Sequence, residues 1–227
     1  MNILAIDTSN QVLGVSILKN NHLVGEFTSN VPKTHSLRLM PAIVQLMKEL
    51  NMNPSDLDKI AVAKGPGSYT GVRIGVTTAK TLAWSLNIPV VGVSSLEVLA
   101  YQGKFFNGCV CPFFDARRET VFTGLYKWTN GKLAVHFEER NILMKDWLKL
   151  IKNENQHVLF ISPHIELYKD MIKEQLGDLA MIPEEVYHIA KPSHLALAGL
   201  MKKPDDTHLL VPNYLRLAEA EAKWKKE

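Results

Sequence analysis

One order of secondary structure is legible twice in this chain, and that repetition limits the fold more than any other feature. Residues 2–6 are a short apolar run ending at Asp7 and the turn-forming Thr8, Ser9 and Asn10. A β-branched run over 12–18 and a third over 23–28 come next, separated by Lys19-Asn20-Asn21. Three such runs joined by short polar turns read as an antiparallel meander. Helical periodicity covers 36–50, an apolar strand 60–63, a glycine-rich turn 65–67 and a second helix 70–86; a strand over 88–93 and a short helix over 94–101 close the half. The second half begins again with an apolar run over 109–114 that ends at Asp115. Strands over 120–127 and 132–137 flank an Asn130-Gly131 hairpin turn. A helix over 146–152, a strand over 157–161, a helix over 166–176, a short apolar piece over 180–182 and a helix over 193–201 complete it. Asp7 and Asp115 fall at matching places, each closing the first strand of its half.

A tandem β-β-β-α-β-α pattern with an acid after each first strand is the arrangement of the actin-like ATPase and RNase H-like (ASKHA) α/β fold. It predicts an N-terminal lobe over residues 1–103 carrying any partner interface, and a C-terminal lobe of related topology over 104–208. Strong helix formers after Pro212 predict a C-terminal helix over 209–227 that packs back on a lobe. In that fold the cleft between lobes holds a nucleotide, and the two strand-one turns face its phosphates and metal.

Composition excludes several other classes. With 46% hydrophobic and 22% charged residues over 227 positions, the chain is an ordinary core-forming protein. The net charge of +3 is spread out, with a dense run only at Lys223, Lys225 and Lys226, which reads as a solvated end. A nucleic-acid binder more often shows a basic stripe interleaved with aromatics, so the charge permits an RNA-containing complex without arguing for one. Cys109 and Cys111 lie two apart on one strand, point the same way and cannot bridge without distorting it. They are half a metal site at best, and read as buried thiols of a cytoplasmic protein. No apolar run approaches the roughly 20 residues of a membrane span.

Few segments carry chemistry. The Gly65–Gly71 stretch, GPGSYTG, lies between a strand and a helix. Its backbone N–H groups either hold a phosphate or form a tight turn with Ser68 or Thr70 as helix cap. Asp7 is either the ligand of a magnesium-bridged phosphate or a hydrogen-bonded strand end. The phosphate-facing candidates are therefore Asp7, Thr8, Ser9, Gly65, Gly67 and Ser68. In the second helix Gly71, Gly75, Ala79 and Ala83 recur every four residues, a ridge that admits a close neighbour, either the lobe's own sheet or another helix. In the first helix, apolar residues spread over roughly 220° of the circumference, wider than one sheet requires. Leu37, Met40, Ile43, Val44 and Met47, with Gly71, Gly75 and Ala79, are the candidate partner or dimer interface. No H-E-x-x-H, H-x-x-x-H or G-x-S-x-G occurs. Neither a catalytic residue nor a metal site is assigned, and a metallopeptidase has no ligands to work with.

The segments ILAIDTS (from Ile3), HSLRLMPAI (from His35), KGPGSYTGVRIGVTTAKTLA (from Lys64) and VSSLEVLA (from Val93) resemble the bacterial TsaB family, also called YeaZ. DARRETVF (from Asp115) and PNYLR (from Pro212) extend the resemblance into the second half. It implies a non-catalytic scaffold in the threonylcarbamoyl modification of adenosine beside the anticodon of certain tRNAs. It also implies binding to a catalytic paralogue, TsaD, through the first lobe, and an ATPase subunit, TsaE, as further partner. The chain alone would form a homodimer, meet tRNA only as substrate of the complex and need no cofactor. ATP or ADP with Mg would bind at most weakly, at the cleft or the shared interface. TsaD proteins carry H-x-x-x-H on the third helix, where this chain has Ser95 and Leu99. One departure is Ser162-Pro163-His164, where members often have a Gly-Asp-Gly-like turn. The rival reading is an independent Mg-ATP-dependent phosphotransferase or ATPase built on Asp7 and the glycine-rich turn.

Overall fold

The computed structural model describes residues 1–31 and 34–216. Strands β1 (Asn2–Asp7), β2 (Leu13–Lys19) and β3 (His22–Ser29) form the expected meander, succeeded by helix α1 (His35–Glu49). Strand β4 (Lys59–Ala63), helix α2 (Tyr69–Leu86), strand β5 (Val90–Val93) and helix α3 (Ser95–Ala100) complete the first half. The sheet order is β3-β2-β1-β4-β5, with β4 and β5 parallel to β1. The second half comprises β6 (Cys109–Asp115), β7 (Thr120–Thr129), β8 (Lys132–Leu143), α4 (Met144–Lys152), β9 (Val158–Ile161), α5 (Lys169–Leu176), β10 (Ala180–Met181) and α6 (Pro192–Met201). Its order, β8-β7-β6-β9-β10, repeats the first sheet strand for strand. This doubled mixed sheet is the actin-like, RNase H-like fold.

Strand β1 is apolar on both faces because both are covered. Leu4 and Ile6 join the core under α1 and α2, whereas Ile3 and Ala5 join one under α6 and α3. A separate cluster joins the lobes: Leu96, Leu99 and Ala100 of α3 pack on Val110, Phe114 and Tyr126 of the second sheet. Cys109 and Cys111 are buried free thiols, and the Trp147 indole N–H points at the Cys111 sulfur, 3.2 Å away.

Three expectations are corrected by packing. Strand β8 runs six residues past position 137, because register shifts around Leu125 let its polar second half stay paired with β7. Helix α6, which sequence order assigns to the second lobe, lies across β1, β2 and β4 of the first sheet. It is apolar all round, and α3, only six residues long, leans onto β6 and cannot cover that face alone. Residues 209–216 are a strap and not a helix. Leu210 enters the first core, the Lys80 ammonium donates to the carbonyls of His208 (3.0 Å) and Leu210 (2.9 Å), and Asn213 N–H donates to the Lys64 carbonyl at 2.6 Å. Those bonds use backbone groups that helical hydrogen bonds would need. The rest of the expected C-terminal helix, 217–227, lies outside the described residues.

Candidate functional site

A cleft of about 720 Å³ opens between the lobes. Its walls are the N-terminal end of α2 (Ser68, Tyr69, Thr70), the turn after β6 (Asp115, Ala116, Arg117), His164 and the strap from Asn213 to Arg216. The Arg73 guanidinium lies 3.9 Å from the centre of the Tyr69 ring and donates to the Tyr214 hydroxyl at 2.7 Å.

The two acid turns reach this cleft differently. Asp7 is buried, and its Oδ1 accepts both the backbone N–H (2.9 Å) and the hydroxyl (2.7 Å) of Ser9. Burial pushes its carboxyl above the usual carboxylate range, against the pull of the Ser9 bonds and of His35 nearby. Thr8 is buried and donates its hydroxyl to the Gly71 carbonyl at 2.7 Å, and the Ser9 carbonyl accepts Ser68 N–H at 2.7 Å. The glycines exist for this contact. A Cβ on Gly67 would lie 2.1 Å from the Ser9 carbonyl oxygen, and one on Gly71 2.2 Å from that of Thr8. Gly65 is buried and exchanges backbone bonds with Ser95, whose N–H donates to its carbonyl and whose hydroxyl accepts its N–H. Ser68 caps α2, accepting Gly71 N–H at 3.3 Å. Of the six phosphate-facing candidates only Gly67 and Ser68 line the cleft. Asp7, Thr8, Ser9 and Gly65 are buried behind the cleft wall and bonded within the protein, so the residues present do not fit a metal-phosphate clamp shared by both turns.

In the second turn Asp115 does line the cleft, accepts the Tyr168 hydroxyl at 2.7 Å, and donates its N–H to His164 Nδ1 at 3.3 Å. Burial lowers the pKa of His164, partly offset by Asp115, and raises that of Tyr168. In the sequence His164 stands out only as part of the Ser162-Pro163-His164 departure from a glycine turn. Among the described residues no group of three His, Cys, Asp or Glu is placed to hold a metal ion. At the third helix, Ser95 anchors the glycine turn and Leu99 is fully buried between the lobes.

The helix face divides more sharply than its sequence. Ile43 (3% exposed) and Met47 (6%) belong to the first core with Leu39, Ala42 and Leu46, whereas Leu37 (75%), Met40 (41%) and Val44 (59%) are open to water. Arg38, which donates to Ser29 Oγ at 2.6 Å, marks the flank of α1 toward β3. At about 100° per residue, Leu37, Met40 and Val44 share the other flank, which looks toward α2. Gly71, Gly75 and Ala79 are buried against the β1 turn and the sheet, so the neighbour their ridge admits within this chain is its own lobe. Trp84 is the large apolar side chain that α2 leaves most open.

A family model described as TsaD, tRNA N6-adenosine threonylcarbamoyltransferase, matches residues 22–224. A tRNA threonylcarbamoyladenosine biosynthesis protein TsaB of Bacillus subtilis (strain 168) is 51% identical over 224 residues, covering 99% of this chain and 98% of that one. The protein of the same description from Buchnera aphidicola subsp. Baizongia pistaciae is 35% identical over 218 residues, covering 94% and 97% of the two chains. The solved structure of YeaZ from Pseudomonas aeruginosa superposes with a TM-score of 0.79 at 25% identity, over 94% of this chain and 99% of that one. With this fold, and at this identity over nearly its whole length, the chain belongs to the TsaB (YeaZ) family of tRNA threonylcarbamoyladenosine biosynthesis proteins.

Proposed function

We propose that this chain is a non-catalytic subunit in threonylcarbamoyladenosine modification, and that it docks a TsaD-like catalytic paralogue through the exposed flank of α1 and the outward face of α2. The observation that carries the reading is the open row Leu37, Met40 and Val44 on a helix whose other apolar residues already fill the space over the sheet. Burying one such side chain contributes roughly 1.5–3 kcal/mol, so three on one stripe form an effective contact when a partner covers them. A TsaE-like ATPase joins the same cytoplasmic assembly, tRNA is the substrate of the complex, and the chain alone pairs with a second copy over the same face. No cofactor is needed by the chain alone, and any ATP or ADP with Mg is held only weakly, at the cleft or the shared interface, without the Asp7 carboxylate. The inward-turned Asp7 supports this over an independent Mg-ATP enzyme, which would need that carboxylate facing its metal.

Reconstituting the tRNA modification with and without the chain tests the role: turnover should depend on it, and full activity without it would overturn the reading. Met40→Glu addresses the surface. Placing a carboxylate in a covered apolar row should weaken binding to the paralogue by about 100-fold, and self-association with it. Calorimetry and sedimentation read both; an unchanged affinity and mass would remove α1 from the contact.

A further inference from the structure

The strap is held by both lobes in succession. Asp205 pairs with the β5 edge at Val90 and accepts Gly92 N–H at 2.7 Å. Lys80 then fixes the carbonyls of His208 and Leu210, Asn213 N–H fixes Lys64, and Arg216 crosses the cleft to the Ala116 carbonyl at 3.1 Å. One acid on β8, Glu139, joins these parts. Its Oε1 accepts the Tyr126 hydroxyl at 2.5 Å and the hydroxyl of Ser94, and its Oε2 accepts the Asn213 side-chain amide at 3.1 Å. Ser94 is the N-cap of α3 in the first lobe, Tyr126 lies on β7 in the second, and Asn213 is the middle of the strap. Glu97 is the acid that faces this carboxylate, and it is itself paired with Lys202 at 3.0 Å. A largely buried carboxylate persists where its lone pairs are answered, and removing one donor leaves an expensive unpaired acceptor.

We propose that Glu139 is a clasp: by gathering donors from the first lobe, the second lobe and the strap, it fixes the setting of the lobes and holds the strap along α2. Because the strap is tied to α2 at Lys80 and to the glycine turn at Lys64, the clasp steadies one of the two helices of the docking face. That last step rests on the docking role proposed above, and the clasp itself does not.

Hydrogen exchange on the full chain tests it with a charge exchange. Asn213→Asp sets a second carboxylate against Glu139, and should speed exchange in residues 64–68 and 211–216 by about tenfold, the equivalent of one charged hydrogen bond. Adding Glu139→Gln supplies an amide donor to the new carboxylate, and should return those rates to within about twofold of the native chain. Strands β1 and β6 should stay unchanged throughout. Rates that do not move in Asn213→Asp, a double variant as open as the single, or equal rises in β1 and β6 would each overturn the clasp. Binding at the docking face should weaken in the single variant and recover in the double. If Met40→Glu shows that α1 is not a docking surface, the exchange result still decides the clasp.

Discussion

Asp7 and Asp115 stand at equivalent ends of equivalent strands, and the molecule uses them in opposite ways. Asp7 turns onto its own loop, bonded to Ser9 and sealed beneath the glycine-rich turn. Asp115 looks into the cleft, held by Tyr168 and beside His164. The difference comes from the loop that leaves the neighbouring parallel strand. After β4, glycines let that loop close to backbone contact; after β9, Ser162-Pro163-His164 brings a ring nitrogen instead and leaves the turn open. The first turn therefore packs under α2, and of the two acids only Asp115 faces the cleft.

The two turns should differ most at the glycines. Gly71→Val drives a side chain into the Thr8 carbonyl, where backbone on both sides must move, and should cost about 3 kcal/mol or more in thermal unfolding. The exposed Arg117, on the other turn, should change to Ala for about 0.5 kcal/mol or less. A loss at Gly71 no larger than that at Arg117 would refute the sealed turn. Next in size is Tyr168→Phe, which keeps the edge-on packing against Phe113 but removes the donor to Asp115. It should cost about 1.5 kcal/mol, read by urea denaturation, and Asp115→Ala should add little once the hydroxyl is gone.

The smallest effect is in the pH dependence, where the two turns pull in opposite directions. The raised pKa of Asp7 means that its contribution is fully present below the ordinary value of 3.8 and is lost as pH rises through the folded value. His164 has a lowered pKa, so its contribution is present above 6.5 and is lost as pH falls through the folded value. In stability-against-pH curves, Asp7→Asn should remove the first slope and leave the second, and His164→Gln should do the reverse. Identical curves for both variants would show that the turns share one titration.

Most of this frame is legible in the sequence. The strand order, the matched acids and the start of every strand arise from apolar runs and turn residues, which are local signals, whereas the second half of β8 is set by its pairing with β7. The parts that are not legible depend on non-local choices. An apolar arc on α1 does not say which edge the sheet takes, so Ile43 and Met47 look as available as Leu37 and Met40. The ridge of Gly71, Gly75 and Ala79 announces a close neighbour without saying that the neighbour is the β1 turn. Residues 209–216 have no periodicity to betray an extended path, because their partners, Lys64, Lys80 and Glu139, are more than seventy positions away. Helix α6 is apolar on every side and so carries no information about which sheet it covers.

That last placement has a consequence for the order in which the protein is made. One face of the first sheet, with Ile3, Ala5, Ala61 and Val91, is closed mainly by Leu195, Ala196 and Ala198. During synthesis the N-terminal strands leave the ribosome early and wait, half covered, for a helix encoded near the far end. Contacts of such long sequence separation form slowly and leave apolar surface open in the interval. The lobe translated first is finished last, and a nascent chain stopped between β5 and α6 has all five strands of that sheet but leaves the face opposite α1 and α2 open.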